Sequence, residues 1–355
     1  MEYKRLGEYI EPVDERNSKL EIKLSQGICN EKYFQDPRQV AENSAADKIV
    51  RRGYFAYNRA TTRNGEKISI AYREGPDCTV SSAYQVFRIK DEEKLNPKYL
   101  LMWYKRPDFD KYARFRSHGS AHEFFEYEEM CNVRIPLPSI ERQREIVSEY
   151  ETLTNRIRLN NQMIQHLEAT AQALYRKTFV DNIDKENLPK GWRMGTLGEI
   201  ADINSGKTCI DKSEVKDETF QYPVAGASGI IGFSSTYNYD EKLMTTGRVG
   251  TLGVVNRYNQ KMYMADNVLI IRSNHYEYCY QILKSLDYSE ITKGGVQSLI
   301  TQTDLKDYSI PLPSQETLSA FEEQSGMLFS SVETRKREIE KLTELQSLLL
   351  AKMGQ

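Results

Sequence analysis

The sequence predicts a mixed α/β protein with two globular regions and two long paired helices, arranged as a pseudo-twofold internal repeat. The pentapeptide Ile-Pro-Leu-Pro-Ser occurs at residues 135–139 and again at 310–314, about half the chain later. Each copy precedes a long segment in which apolar residues recur at alternating steps of three and four, the spacing of a helical seam. Each copy also follows a region rich in tyrosine, valine, isoleucine and threonine, which is typical of short strands.

The first globular region spans residues 1–139. Residues 68–72 and 84–89 have the β-branched and aromatic content of strands. Asn96 followed by Pro97 predicts the start of a helix, because asparagine caps helix N-termini and proline suits the first helical position.

Two long helices are predicted near residues 141–179 and 316–353, within the segments 140–180 and 315–355. Ser139 and Ser314 can cap their N-termini. One such helix cannot bury its apolar stripe alone, whereas two in one chain can bury each other. The predicted seam residues are Ile146, Leu153, Ile157, Asn160, Ile164, Leu167, Leu174, Leu328, Val332, Arg335, Ile339, Leu342 and Leu349. The polar members, Asn160 and Arg335, are either tolerated in the seam or fix its register.

A linker at residues 181–190 and a second globular region at 191–314 complete the repeat. Both globular regions begin with Leu-Gly-Glu, at Leu6 and at Leu197. The stretch from that leucine to the pentapeptide is longer in the first region, where it runs from 6 to 135, than in the second, where it runs from 197 to 310. The repeat is therefore close in the helices and loose in the globular regions.

Composition excludes several classes of protein. The net charge of −2 shows no overall affinity for nucleic acid, so any such surface must be a local patch. No apolar run approaches the ~20 residues of a membrane helix, and no secretory signal is evident, so we expect a cytoplasmic protein with no membrane partner. The five cysteines are widely scattered, which argues against a zinc site and a disulfide framework.

Three short patterns imitate catalytic motifs. Residues 96–99 read Asn-Pro-Lys-Tyr and lack the second proline of an amino-methyltransferase motif, so a helix cap is favoured. Residues 76–77 and 92–94 imitate the carboxylates and lysine of a metal-dependent nuclease, but Lys94 lies in the charged run 91–94, which favours a solvated turn. His118 and His122 lack the intervening glutamate of a metalloprotease. We therefore predict no catalytic residue and no metal site.

Basic, amide and hydroxyl side chains form more persuasive groups. Arginine and asparagine can read base edges, and lysine, serine and threonine can hold phosphates, although a solvated strand face would have a similar composition. The candidates for DNA contact are Lys48, Arg51, Arg52, Tyr57, Asn58, Arg59, Arg63, Arg114, Arg116, Ser117 and His118 in the first region, and Lys207, Thr208, Ser228, Thr246, Arg248, Arg257, Lys293 and Gln297 in the second.

Further residues identify a resemblance to a known family. Residues 188–192 read Leu-Pro-Lys-Gly-Trp before the second Leu-Gly-Glu, and residues 295–300 read Gly-Val-Gln-Ser-Leu-Ile before the second pentapeptide. Together with Val-Ser-Ser-Ala-Tyr at 80–84 and the repeated pentapeptide and helix, these resemble the specificity subunit of type I DNA restriction-modification systems over nearly the whole chain. The chain departs from the family at residues 141–143 and 315–317, where a Glu-Gln pair is usual.

The resemblance implies that residues 1–139 and 191–314 are target-recognition domains and that the long helices pair antiparallel with the domains at opposite ends. Each domain would read one half of a bipartite, asymmetric double-stranded DNA target. The chain itself would bind no cofactor and catalyse nothing. S-adenosylmethionine, ATP and Mg²⁺ would be used by the methyltransferase and restriction subunits that it recruits.

Two alternatives remain open at this point. A type IIB restriction enzyme contains a similar specificity chain joined to a fused nuclease-methyltransferase. A stand-alone DNA methyltransferase or nuclease would instead have to use one of the three imitated motifs.

Overall fold

A computed structural model describes residues 3–37, 44–60, 67–117, 123–181, 183–184, 186–249, 252–291 and 299–354. These residues form strands and helices in both halves of the chain, which confirms the predicted mixed α/β class. They divide into two units. Unit 1 comprises Met1–Asn160 with Arg337–Gln355, and unit 2 comprises Asn161–Lys336. Each unit thus contains part of both long helices.

The elements of the first half are β1 (Tyr3–Arg5), β2 (Ile10–Val13), β3 (Gly27–Ile28), β4 (Phe34–Gln35), β5 (Lys48–Val50), β6 (Phe55–Asn58), β7 (Ile70–Tyr72), β8 (Cys78–Val80), β9 (Tyr84–Ile89), α1 (Pro97–Tyr104), α2 (Pro107–Phe115), α3 (Tyr127–Asn132), β10 (Arg134–Pro136) and α4 (Ile140–Phe179).

The elements of the second half are β11 (Arg193–Thr196), β12 (Asp202–Ser205), β13 (Tyr222–Gly226), β14 (Gly229–Ser234), β15 (Tyr239–Gly247), β16 (Val255–Met264), β17 (Val268–Arg272), α5 (Tyr276–Ser285), α6 (Gln302–Lys306), β18 (Ser309–Leu312) and α7 (Gln315–Lys352).

An antiparallel sheet in the order β2-β9-β6-β7 forms the centre of unit 1. Its aromatic residues provide much of the core, because alternate strand positions point to the same face. The Phe55 and Phe87 rings stack with centroids 5.1 Å apart, and Tyr104 from α1 meets Phe55 edge-on at 5.9 Å. All three side chains are fully buried.

A six-stranded sheet in the order β12-β17-β15-β16-β13-β14 forms the centre of unit 2. Only the β13–β16 pairing within it is parallel. Ile203, Leu269 and Ile271 are fully buried and pack with the residues of α5, including Cys279 and Leu283. Both units therefore place a helix against a largely antiparallel sheet.

The two long helices begin and end within one residue of their predicted limits. Ser139 Oγ accepts the N–H of Arg142 at 3.3 Å, and Ser314 Oγ accepts the N–H of Thr317 at 3.3 Å, so both predicted caps are formed. None of the predicted seam residues is exposed, and Asn160 itself is buried.

Within each unit the two helix segments run antiparallel. In unit 1, Thr154 Oγ1 in α4 accepts from Gln346 Nε2 in α7 at 2.7 Å, and Arg156 in α4 pairs with Glu338 in α7 at 2.5 Å. The later residue of α4 thus meets the earlier residue of α7. In unit 2, Phe321 from the start of α7 packs edge-on against Phe179 at the end of α4, with ring centroids 5.0 Å apart. The antiparallel pairing implied by the resemblance is therefore confirmed in each unit.

The two units share a backbone framework that the loose sequence repeat conceals. The N–H of Leu6 donates to the carbonyl of Val133 at 2.8 Å, and the N–H of Leu197 donates to the carbonyl of Tyr308 at 2.9 Å. In both units this leucine opens a short 3₁₀ helix, after a strand that pairs antiparallel with the strand of the pentapeptide. Val133 and Tyr308 occupy the same place relative to their pentapeptides.

In each unit, a tyrosine of the short helix forms a hydrogen bond to the corresponding proline of the pentapeptide. Tyr99 in α1 donates its hydroxyl to the carbonyl of Pro136 at 3.0 Å, and Tyr278 in α5 donates to the carbonyl of Pro311 at 2.5 Å. Burial raises the pKa of Tyr99 to about 12, so its hydroxyl stays protonated and able to donate. Each proline is the first proline of its pentapeptide.

Each long helix also holds the N-terminus of that short helix. Gln143 is fully buried; its Oε1 accepts the N–H of Asn96 at 2.9 Å. In unit 2 the Glu322 carboxylate accepts the N–H groups of Glu277 at 3.1 Å and Tyr278 at 2.8 Å. An acceptor at this place satisfies backbone donors that have no partner within the helix.

None of the helices in the described part of the chain is long and apolar enough to cross a membrane.

We predict that Tyr99→Phe and Tyr278→Phe each lower the free energy of unfolding of their own unit by about 1 kcal/mol, because each removes one hydrogen bond from a buried tyrosine to a backbone carbonyl. Hydrogen exchange monitored in both units by mass spectrometry measures the effect. Tyr237→Phe, which changes an exposed tyrosine, is the control. Losses no larger than the control's would show that the two hydroxyls do not hold the framework.

Candidate nucleic-acid interface

The polar candidates of unit 1 gather where β6 ends. Asn58, its last residue, pairs with Tyr84, the first residue of β9. Arg59 and Ala60 continue beyond the sheet, where Ala60 forms a bridge with Phe124 and the carbonyl of Arg59 accepts the N–H of Phe125 at 2.9 Å. We call Asn58, Arg59 and Ala60 the strand-end edge of unit 1.

The Arg59 side chain is half-exposed and held in place. Its Nε donates to the carbonyl of Ala83 at 3.2 Å, and its Nη1 lies 3.2 Å from Glu126 Oε2. The guanidinium also lies over the Phe124 ring, 5.7 Å from the centroid. These contacts orient the fork of donors while leaving part of it open to solvent.

The end of α2 adds two further arginines next to this edge. Arg114 pairs with Glu123 at 2.5 Å, and Arg116 Nε donates to Glu129 at 2.7 Å. Phe115 between them is 79% exposed, which is unusual for so large an apolar side chain. Sequence reasoning directed at charge missed Phe115, although an aromatic residue flanked by two arginines is a readable signal.

A buried ion pair between Lys32 and Asp110 fixes α2 to the residues just before β7. Lys32 Nζ lies 2.6 Å from Asp110 Oδ1 and donates to the carbonyl of Ile68 at 2.9 Å, while the N–H of Ile68 donates to the same Oδ1 at 3.1 Å. Burial lowers the pKa of Lys32. Removing one partner of such a pair leaves a buried charge uncompensated, so the pair holds these segments together.

Unit 2 has a corresponding strand-end edge at Gly247, Arg248 and Val249. Gly247, the last residue of β15, pairs with Val268, the first residue of β17. Val249 forms a bridge with Leu299. The carbonyl of Arg248 accepts the N–H of Ile300 at 3.1 Å.

The turn between β16 and β17 brings three candidates of unit 2 together. The N–H of Arg248 donates to the carbonyl of Asn267 at 3.0 Å, and Thr208 Oγ1 donates to Asp266 at 2.8 Å. The N–H of Lys207 donates to the carbonyl of Met264 at 3.0 Å, and its side chain is exposed. Ser228 is exposed in the turn between β13 and β14.

Ile210, three residues after Lys207, is 96% exposed and was also missed by sequence reasoning. It carries no charge and no distinctive neighbour that would have singled it out.

Four of the predicted contacts are corrected because their side chains face the interior. Tyr57 and Thr246 are fully buried, and so are their strand neighbours Ala56 and Thr245, because both faces of the sheet are covered there. Lys48 is buried and pairs with Asp14 at 3.4 Å. Ser117 is buried and donates to the carbonyl of Ala113 at 2.7 Å.

Arg257 is also corrected. Its guanidinium forms two hydrogen bonds to Glu277, at 2.6 and 2.8 Å, and it lies over the Phe329 ring, 3.8 Å from the centroid. The side chains of Arg257 and Glu277 are only 12% and 3% exposed. Arg257 therefore neutralises a buried carboxylate and is not available to DNA.

Arg51 and Arg52 behave differently from each other. Arg51 is half-exposed and bound to Glu15 and to Asp77, the latter at 2.9 Å, and these carboxylates raise its pKa. Arg52 is exposed, and only its backbone N–H, at 2.9 Å, is held by Asp77. Arg63, His118, Lys293 and Gln297 lie outside the described residues.

The imitated catalytic motifs have structural partners where they are described. Asn96 caps α1 by accepting the N–H groups of Lys98 at 2.9 Å and Tyr99 at 3.1 Å, as predicted. Asp77 binds the Arg51 side chain and the backbone N–H of Arg52. Lys94 pairs with Asp91 at 3.2 Å. Within the described ranges, no three His, Cys, Asp or Glu side chains are placed to hold a metal ion together.

Comparisons with known proteins agree with this architecture. A family model described as the type I restriction modification DNA specificity domain matches residues 45–169 and 189–349. The MjaIX type I restriction enzyme specificity subunit of Methanocaldococcus jannaschii is 23% identical over 296 residues, which cover 72% of this chain and 68% of the relative. The HindI specificity subunit of Haemophilus influenzae is 18% identical over 87% of both chains. The crystal structure of a type I S subunit from M. genitalium, 14% identical, matches 99% of this chain and 95% of its own with a TM-score of 0.61, so the two share a fold.

We predict that Arg257→Ala lowers the free energy of unfolding of unit 2 by about 3–5 kcal/mol, because it leaves Glu277 buried without its main partner. Lys242→Ala is the matched control: Lys242 pairs with the same carboxylate at 3.1 Å but is half-exposed, so its loss should be well below 1 kcal/mol. Urea unfolding followed by fluorescence measures both. Equal effects of the two variants would contradict a structural role specific to Arg257.

Proposed function

We propose that this chain, which belongs to the family of type I restriction-modification DNA specificity proteins, selects a DNA sequence. Its partner subunits would then act on the DNA that it selects. Each unit would read one half of a bipartite, asymmetric double-stranded target. The chain would recruit methyltransferase subunits and, in the full complex, restriction subunits.

One observation carries the proposal: the same framework occurs in both units and ends in a polar strand-end edge in each. The shared parts are the opening leucine, the pentapeptide strand and the tyrosine of the short helix, and both leucines and both tyrosines are buried. The strand-end edges and the loops around them differ in sequence. A constant frame with variable edges suits two domains that read unlike half-sites.

The partly exposed edge residues have the chemistry that DNA recognition requires. Arg59 and Asn58 in unit 1, and Arg248 in unit 2, can present donors and acceptors to base edges in the major groove. Arg52 and Lys207 are exposed and less constrained, which suits contacts to phosphates. The chain as a whole carries a net charge of −2, so we infer that partner subunits supply much of the basic surface around the DNA.

Catalysis is assigned to the partners. The relatives reported above are specificity subunits, and the imitated motifs in this chain that are described have structural partners. S-adenosylmethionine, ATP and Mg²⁺ would bind to the methyltransferase and restriction subunits. The type IIB arrangement stays an alternative, and a neighbouring gene that encodes a fused nuclease-methyltransferase would favour it.

We predict that coexpression of this chain with its methyltransferase partner in a host lacking DNA methylation produces one methylated motif with two unlike half-sites and a fixed spacer. The reason is that the two globular regions differ in length and in the sequence of their edges. Methylome sequencing reads the motif directly, and the methyltransferase expressed alone is the control. A palindromic motif would contradict the assignment of one half-site to each unit. So would methylation by the partner without this chain.

A further inference from the structure

We propose that Arg59 and Arg248 are equivalent residues of the internal repeat and that each reads a guanine at the same place in its half-site. The two half-sites, although unlike, would then share one guanine. This inference rests on the proposed function and adds to it a named base and the residue in each unit that recognises it.

The backbone around the two arginines has the same connections. The carbonyl of Arg59 accepts the N–H of Phe125 at 2.9 Å, and the carbonyl of Arg248 accepts the N–H of Ile300 at 3.1 Å. Phe125 and Ile300 are both fully buried, and they occupy the same place relative to their pentapeptides. Equivalent segments, just before the two pentapeptides, therefore anchor the two arginines in their own units.

The strands that lead to the arginines also correspond. Arg59 follows the residue that pairs with Tyr84, the first residue of β9, and Arg248 follows the residue that pairs with Val268, the first residue of β17. In both units the next residue after the arginine forms an antiparallel bridge, Ala60 with Phe124 and Val249 with Leu299. The two arginines lie at different distances in sequence from their pentapeptides, so the pentapeptide repeat alone does not align them.

A second pair of arginines confirms the alignment of these strands. Arg88 in β9 faces Glu11 across the sheet and donates to it at 2.6 Å. Arg272 in β17 faces Asp202 in the same way and pairs with it. Arg88 and Arg272 stand four residues after Tyr84 and Val268, so the register matches throughout. Because each of these arginines is bound to a facing carboxylate in its own sheet, this second pair is a matched internal control.

The position of Arg59 and Arg248 favours a base over a phosphate. Both residues are partly buried at the end of a core strand, and their main chains are fixed on both sides. A partly buried arginine on a fixed main chain has fewer conformations to lose on binding, and its guanidinium can present two parallel N–H groups to the O6 and N7 atoms of guanine. Phosphate contacts need less orientation and are more typical of exposed side chains such as Lys207.

The two sites differ in one respect that affects their strength. Glu126 pairs with Arg59, whereas the residue at the same place before the second pentapeptide is Thr301, whose hydroxyl donates to Asp304 at 2.6 Å. Within the part of the chain that the structure describes, no carboxylate pairs with Arg248, and its Nε is buried without a hydrogen-bond partner. A guanine would therefore not compete with a protein carboxylate for the Arg248 guanidinium, and we expect the larger effect in unit 2.

The test measures methylation rates by the reconstituted complex of this chain with its methyltransferase partner. Duplexes carry either guanine or adenine at the shared position of one half-site. For wild type we expect a guanine at the same distance from the methylated base in both half-sites. We expect Arg59→Lys to reduce the preference for guanine by about 5- to 150-fold in the first half-site only, and Arg248→Lys to do so in the second only. Lysine keeps the charge but cannot form the paired contact.

The controls are Arg88→Lys and Arg272→Lys, which should leave the preference for guanine unchanged. If Arg59→Lys and Arg248→Lys slow methylation equally on both duplexes, the arginines contact phosphate and the inference is overturned. A bipartite wild-type motif without a shared guanine would also overturn it, while leaving the proposed function intact. A wild-type complex with no bipartite motif would instead refute the proposed function.

Discussion

The packing of the two long helices is the constraint on which both units depend, because each unit completes its apolar core with a helix end from the other half of the sequence. Leu350 and Met353, at the end of α7, are buried in the core of unit 1. Ala171, Tyr175 and Phe179, at the end of α4, are buried in the core of unit 2. Neither half of the sequence therefore contains all the residues that its globular region needs.

This dependence explains why the helices and the pentapeptide repeat closely while the rest does not. Ser139 and Ser314 start the helices, Gln143 and Glu322 hold the short helices, and the two pentapeptide prolines accept the hydroxyls of Tyr99 and Tyr278. The Tyr99, Tyr278 and Gln143 side chains that make these contacts are buried, whereas the Arg59 and Arg248 side chains at the strand-end edges are partly exposed. Recognition residues can thus vary on a frame that stays the same.

Much of this frame was predictable from the sequence. The pentapeptide, the seam spacing and the serine caps located both long helices to within one residue, and the asparagine cap located α1. Tyr57 and Thr246 were predicted as DNA contacts because they are polar residues close in sequence to Arg59 and Arg248, but both lie in strand segments that are buried on both faces. Arg257 was misread for a similar reason, since its partner Glu277 is distant in sequence. The equivalence of Arg59 and Arg248 was not predictable, because loops of unequal length separate them from the pentapeptides and only strand pairing aligns them.

The most direct test of the shared cores is hydrogen exchange measured by mass spectrometry on Leu350→Asp, with Leu348→Asp as the control. Leu348 lies on the same helix but is 59% exposed, so its substitution should change little. If unit 1 takes the end of α7 into its core, Leu350→Asp will accelerate exchange in residues 97–115, although they lie in the other half of the sequence, and will leave residues 268–285 of unit 2 unchanged. Acceleration confined to residues 268–285, or none beyond that of the control, would contradict the account.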